Sequence, residues 1–303
     1  MKTAILIKTL GRERCLFNTL DSIEAFCDVP YRLYIADDGP VSDEKAIRYD
    51  QLRRDGHLVI RLDRPTAVTT ARNMLARLVE DEKALLRIDD DFEFFDRTNI
   101  RAMWTVLESD PTIGVVADVE VQCGDGKGVR DGELCHGQGF IEIRDKVLYK
   151  VQVPVSSWPW LQAHGVRYAL ADYTRNFLLI RRQCAESCPW DERNFILSEH
   201  LDFMMSIAAN GWKLAFTPDS VHKHRDDLAR PLEDEHYQAL RQRACVTPLG
   251  TDVFLEKWDL KKFETVRPVG RHVRDAKKMK SRLRRPWTFL TTPLAAHRAK
   301  EKH

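Results

Sequence analysis

Three consecutive carboxylates, Asp89-Asp90-Asp91, follow the apolar run Leu85-Leu86-Arg87-Ile88 and precede Phe92. Adjacent acids repel one another, and a divalent cation bridging to a phosphate relieves that repulsion, because hard oxygen ligands suit Mg2+ or Mn2+. An isolated triplet of this kind is usually a solvated acidic turn. Here it has company. Asp37-Asp38-Gly39-Pro40 is a second acidic turn, whose carboxylates could accept from the N–H of a nucleotide base or merely cap the helix that follows. Arg72 and Asn73 come just after Thr69-Thr70, which would cap a helix start. A guanidinium there could bind a diphosphate or order the triplet through paired hydrogen bonds, or be an ordinary helix-start arginine. Thr9 and Arg12, in the loop after the first apolar run, could line the same base and its phosphates.

These residues need a scaffold that delivers them to one edge, and the apolar pattern supplies it. Strands are expected at residues 4–8, 31–36, 58–62 and 84–88, alternating with helices at 14–26, from the acidic turn through 54, and at 70–82. Leu16, Leu20 and Ile23 share a face of the first helix; Leu75, Leu78 and Val79 point inward from the third. Strand–helix alternation predicts a parallel, doubly wound sheet, with its ligand cleft at the carboxyl ends of the strands. Further on, a helix is expected at 99–107, strands at 114–121 and 177–181, and a Gly- and Asp-rich loop at 124–139. A hairpin should follow at 140–153, a helix at 198–210, a short strand at 213–216 ending before Pro218, and one more helix at 233–245.

The 303 residues can hold one large domain or two moderate ones, and 43% hydrophobic with 31% charged residues describes an ordinary soluble chain. No apolar run reaches the roughly 20 residues that span a bilayer, and residues 1–8 are read as a first strand rather than a leader. The seven cysteines form no CxxC pair. Cys123, Cys135 and His136 could be imagined as a zinc site, but scattered thiols in a reduced, cytoplasmic protein are the better reading. The net charge of +2 conceals an asymmetry, with fourteen Lys or Arg against three acids in residues 260–303.

The order of these motifs resembles the nucleotide half of GT-A glycosyltransferases. It is similar to the large family-two group and, more closely, to the ganglioside β-1,4-N-acetylgalactosaminyltransferases. The likeness is carried by Arg72-Asn73, by the stretch 88–97 (IDDDFEFFDR), by Asn176 with the residues through 180, by His200-Leu201-Asp202-Phe203, and by Val221-His222-Lys223-His224. It spans residues 1–227. It implies a Rossmann-like, mostly parallel central sheet flanked by helices: a GT-A domain over 1–231, divided into a nucleotide-binding half (1–98) and an acceptor and catalytic half (99–231). A helical, basic extension (232–303) would follow.

The resemblance also implies roles. Asp37 or Asp38 would read a uracil, Asp89 would face the ribose, and Asp91 would hold Mn2+ or Mg2+, with Asp90 beside them. His224, with His222 as the alternative, would complete the metal's coordination, and the bound cation would stabilise the departing nucleoside diphosphate of a UDP-sugar. An inverting transfer requires a base for the acceptor hydroxyl. Family-two enzymes carry Glu-Asp where this chain has Glu199-His200, whereas the ganglioside enzymes carry an acid where Asp202 stands. Asp202 is therefore the favoured base and Glu199 the second, and their i, i+3 spacing puts both on one helix face. Helix starts attract acids in any case. Trp158 and Trp160 lie where such enzymes build the acceptor side and could stack on sugar rings, or plug the core. Asp172, Tyr173, Arg175 and Asn176 could add polar contacts to donor or acceptor.

The donor would be a UDP-sugar, with an N-acetylhexosamine the favoured class, and the acceptor a glycan or lipid-linked hydroxyl. Residues 271–303 mix basic residues with Trp287, Phe289, Leu290 and Leu294, which suits an anionic membrane surface and a peripheral location at its inner face. A nucleic-acid-associated protein is the reading from another class. It gains from the basic tail, yet has no recognition motif and leaves the carboxylates unexplained. A nucleotidyltransferase would need a glycine-rich loop, and Thr9-Leu10-Gly11-Arg12 has one glycine. A GT-A domain that binds sugars without transferring them is the remaining alternative.

Overall fold

The alternation of residues along the first strand sets the architecture. A computed structural model describes residues 1–124, 132, 134, 135, 137–194, 197–229 and 249–266. In β1 (Thr3–Thr9), Ala4 and Leu6 enter one apolar cluster while Ile5 and Ile7 enter another, so the strand is buried on both faces. One cluster takes in α1 (Glu13–Phe26) through Leu16, Leu20 and Ile23, as the spacing predicts. β1 lies between β2 (Tyr31–Asp37) and β4 (Ala84–Asp89), both parallel to it, and β3 (Leu58–Arg61) runs parallel to β2 at the edge. Pairing of Thr9 with Asp37 and of Lys8 with Asp89 brings the polar ends of three strands to one rim.

Between these strands, α2 (Asp43–Arg54) is capped by Ser42, which accepts from the Lys45 amide. The third helix, α3 (Val68–Arg77), differs from expectation at both ends. Thr69 does not cap it; its hydroxyl donates 2.9 Å to the Asn194 carbonyl, tying the helix start to a distant loop. The helix stops at Arg77, which leaves Leu78 40% exposed rather than inward.

After the two-residue β5 (Phe92–Glu93) come α4 (Ile100–Ser109) and β6 (Ile113–Gln122), then an antiparallel hairpin of β7 (Gly139–Arg144) and β8 (Val147–Gln152). β9 (Leu161–Ala163), β10 (Val166–Ala171) and β11 (Leu178–Arg181) follow, with α5 (Arg182–Ser187) and α6 (Glu199–Ala209). The next strand, β12 (Lys213–His224), passes Pro218 instead of ending before it. The ladder with β6 shifts register between Phe216 and Val221, and that irregularity accommodates a residue with no amide proton. The continuation carries His224 to the same rim as the triplet, with His222 buried two residues before it.

Among the described residues the main sheet runs β3-β2-β1-β4-β11-β6-β12-β10-β9, with β5 on β12. The first four strands are parallel; β11 is antiparallel to both neighbours, so the sheet is mixed. Past α7 (Asp226–Ala229), α8 (Leu249–Lys257) packs on α6, and β13 (Lys262–Val266) adds a parallel strand to β8. The expected helix at 233–245, His136, Cys245 and the basic tail 271–303 lie outside the described residues. Among those described, no disulfide forms and no helix is long and apolar enough to cross a membrane.

Candidate active site

A glycine opens the site. A Cβ on Gly39 would lie 2.3 Å from the Gly11 backbone nitrogen, so the turn after β2 and the loop after β1 approach as closely as two backbones can. That approach seats Arg12 over the carboxylates. Its guanidinium bonds Asp91 Oδ2 at 2.9 Å through one amino nitrogen and Asp90 Oδ1 through the other, while Thr9 Oγ1 donates to Asp90 Oδ2 at 2.6 Å. The three acids thus differ. Asp90 is buried, with burial pushing its carboxyl up against the pull of Arg12. Asp91 is buried too, but Arg12 and His224 outweigh burial and hold it well below the usual range. Asp89 alone is open, its side chain 31% exposed.

A ring of polar contacts runs outward from Asp89. It accepts from Arg87 Nη2 and, at 3.4 Å, from Arg72 Nη2. Arg72 reaches Glu199 Oε1 at 3.5 Å, and Glu199 Oε1 lies 3.0 Å from His200 Nε2. The same His200 nitrogen is 2.7 Å from the Asn176 side chain, and Arg87 Nη1 closes the circuit on the Asn176 carbonyl at 2.7 Å. Arg87 was legible as a signal: a charge in mid-strand is buried only with partners. Asn73, next to Arg72, instead clamps the loop at 190–192, exchanging bonds with both backbone groups of Trp190 at 2.9 Å and donating to Glu192.

The first turn of α6 is held in strain. Leu197 and Ser198 adopt φ of 73° and 60°, left-handed values that cost on the order of 1 kcal/mol each for residues with a Cβ. Glu199 and Asp202 then meet different partners. Glu199 faces the Arg72–His200 ring, whereas Asp202 accepts from Lys257 at 2.9 Å and Trp258 Nε1 at 2.8 Å. Burial pushes the Asp202 carboxyl up, and those two donors oppose it.

On the other side of the triplet, one ligand atom each from Asp91, His224 and Asp226 lie within 4.8 Å of one another. Asp226 went unnoticed in the sequence, although an acid two residues beyond His224 was the available signal. Asp91 Oδ1 and His224 Nδ1 are buried without a hydrogen bond among the described residues. Behind them stands a buried relay. Asp118 Oδ1 is 2.7 Å from His222 Nδ1, and Glu120 lies 3.7 Å from His222 and 3.6 Å from His224. Burial opposes charge on both imidazoles, yet the carboxylates raise His222 to about 9 and His224 to about 10. His222 is fully buried, stacked on Phe177 at 4.6 Å, and lies outside the cluster that could hold a cation.

The remaining positions divide between cleft and core. Asp37 is fully buried and receives Lys45, Tyr49, Arg61 and the Gly39 amide; Asp38 receives Lys8 and the Thr66 amide. Trp158 is 4% exposed and packs between Phe140 and Phe216, both at 4.8 Å, while Trp160 is partly buried against Phe216. Asp172 accepts from the Ile141 amide at 2.8 Å, and burial pushes its carboxyl up to about 6. Tyr173 is buried, its hydroxyl without a hydrogen bond among the described residues. Arg175 lies 3.7 Å from Glu120.

Comparison with solved structures finds the same GT-A fold. The crystal structure of GalNAc-T7 with UDP, GalNAc and Mn2+ matches over 85% of this chain at 16% identity, with a TM-score of 0.58. The chain spans about half, 54%, of that structure. S. aureus TarS 1-349 in complex with UDP-GlcNAc matches over 86% of this chain and 70% of its own at 16% identity, with a TM-score of 0.51. The same TarS segment with UDP gives 14% identity over 86% of this chain and 73% of its own, with a TM-score of 0.52. These identities show the fold, a mixed α/β GT-A domain with its central sheet flanked by helices. No curated protein matches the chain in sequence. The model of one family, Glycosyl transferase family 2, matches residues 4–157, just over half of the length. With that match lying across the triplet and the strands that carry it, the chain belongs to glycosyl transferase family 2.

Proposed function

We propose that this protein transfers a sugar from a UDP-sugar to a hydroxyl of a glycan or lipid-linked acceptor, with inversion and with a divalent metal. The observation that carries the reading is the cluster of Asp91, His224 and Asp226 at the rim where β1, β2 and β4 end. The donor set fits a hard or borderline cation: two carboxylates and an imidazole, with a buried Asp91 oxygen that lacks a hydrogen bond among the described residues. When bound there, Mn2+ or Mg2+ supplies Lewis acidity toward the diphosphate.

The chain's own residues do the rest. Asp89, the exposed member of the triplet, meets the ribose. Arg12, bound to Asp90 and Asp91, holds a guanidinium fork beside the carboxylates that would hold the cation and adds positive charge for the phosphates. Arg72 and Arg87 fix Asp89 and add positive charge beside the diphosphate. Thr9 steadies Asp90, and the turn at Asp37-Asp38, whose carboxylates already hold protein donors, shapes the base pocket through its backbone. Trp160 and Asn176 stand on the acceptor side.

An N-acetylhexosamine is the favoured sugar, because two of the similar solved structures contain GalNAc and UDP-GlcNAc. The resemblance to the ganglioside N-acetylgalactosaminyltransferases supports the same class. The domain is taken as residues 1–231, with the described part of the following extension, α8 and β13, built against it. The test is UDP release from a panel of UDP-sugars with and without Mn2+. Release that depends on the metal supports the reading, and its absence with every UDP-sugar contradicts it.

A further inference from the structure

We propose that His200, oriented by Glu199, is the base that takes the proton from the acceptor hydroxyl. This inference rests on the glycosyltransferase reading above and names a residue that the acids of the first turn of α6 had obscured.

The geometry favours the histidine on three grounds. First, the competing acids are engaged. Asp202 is buried beneath Lys257 and Trp258, which donate to Oδ2 and Oδ1 respectively and cover the carboxylate from an incoming hydroxyl. Glu199 is buried, with Oε1 3.0 Å from His200 Nε2 and 3.5 Å from Arg72, so it faces protein donors rather than an incoming acceptor. Secondly, the ring of His200 is 33% exposed, so an incoming hydroxyl can reach it. Thirdly, its tautomer follows from its partners. An ionised carboxylate only accepts, so Nε2, 3.0 Å from Glu199 Oε1, carries the proton. Asn176 Nδ2 is placed 2.7 Å from the same nitrogen, and the equivalent flipped amide, with its oxygen there, accepts that N–H. Nδ1, on the opposite edge, keeps its lone pair and makes no hydrogen bond among the described residues.

The contacts also locate the dyad. Glu199 and Asn176 are each one arginine away from Asp89, through Arg72 and Arg87. The strained Leu197-Ser198 backbone presents the turn to that ring, and such strain persists where the surrounding structure holds it in place.

The step balances. The acceptor oxygen forms a bond to the anomeric carbon as the bond from that carbon to the β-phosphate oxygen breaks. The electron pair leaves on UDP, and the hydroxyl proton passes to Nδ1 of His200, from which solvent removes it. Glu199 is a positioning residue, stabilising the imidazolium that forms.

The experiment uses the full chain and two variants, His200→Ala and His200→Asn. Calorimetry measures UDP with Mn2+, and UDP release from UDP-GlcNAc and UDP-GalNAc is followed with water as acceptor, then with added azide. Azide attacks as an anion and needs no base. The expected result is UDP affinity within about threefold of the parent, release slower by about 10²–10⁴-fold, and azide restoring release with formation of a glycosyl azide. Release at the parent rate in either variant would overturn the assignment, as would slow release that azide does not restore in a variant that still binds UDP. A variant that fails to fold while the other turns over normally counts against it too. Parent protein that releases no UDP would overturn the functional reading itself and this inference with it.

Discussion

Asp172 gives a prediction whose size and sign both follow from its surroundings. Burial lifts its carboxyl from 3.8 to about 6, offset only in part by the Ile141 amide. An acid raised on folding binds its proton more tightly in the native state, so stability falls as pH rises between those two values. The cost is absent well below 3.8, grows through pH 4–6 and levels off above. A rise of that size corresponds to about 3 kcal/mol at pH 8 and about half of that at pH 5. Asp172→Asn removes the ionisation while its amide oxygen can still accept from Ile141. Urea unfolding should therefore show the variant more stable by about 2–3 kcal/mol at pH 8, the gain shrinking toward pH 4. Equal stability at pH 8, or a gain that does not depend on pH, would refute the reasoning. Because the position borders the proposed acceptor side, turnover measured on the same variant shows whether the ionised form is retained for function.

Three further expectations concern the metal, α6 and the tail. Glu120→Gln should weaken Mn2+ binding by about 10–100-fold, since the carboxylate 3.6 Å from His224 Nδ1 orients that ring; paramagnetic titration reads the affinity, and an unchanged value removes Glu120 from the metal's support. Asp202→Asn should leave UDP affinity and turnover unchanged, since Lys257 and Trp258 already occupy both oxygens of that carboxylate. A folded Asp202→Asn protein without turnover would return the base role to that acid. Deleting residues 271–303 should weaken binding to anionic vesicles most at low salt, and unchanged binding would retire the membrane surface as a partner.

Where the sequence was legible, one residue type at a regular spacing carried the information. The α1 stripe, the alternation along β1 and the hairpin at 139–152 depend on local period alone. The carboxylate triplet was conspicuous because like charges rarely adjoin after an apolar strand. What escaped was set by contacts distant in the chain. Thr69 serves Asn194 rather than its own helix, and Asn73 holds the loop at Trp190. Asp202 is engaged by Lys257 and Trp258, more than fifty residues away. The tryptophans split because Phe140 and Phe216 enclose Trp158 and leave Trp160 at the margin. His224 was favoured over His222 in the sequence only through the resemblance, since the two lie two residues apart on one strand face. Only the depth of β12 in the sheet distinguishes the buried residue from the one at the rim.

Calorimetric titration of UDP into the purified protein, with and without Mn2+ and repeated on Asp91→Ala, tests whether the cluster of Asp91, His224 and Asp226 holds the metal that binds the donor. Binding should require the metal in the parent and be lost in the variant. UDP binding of equal strength without metal, or undiminished in Asp91→Ala, would contradict that role.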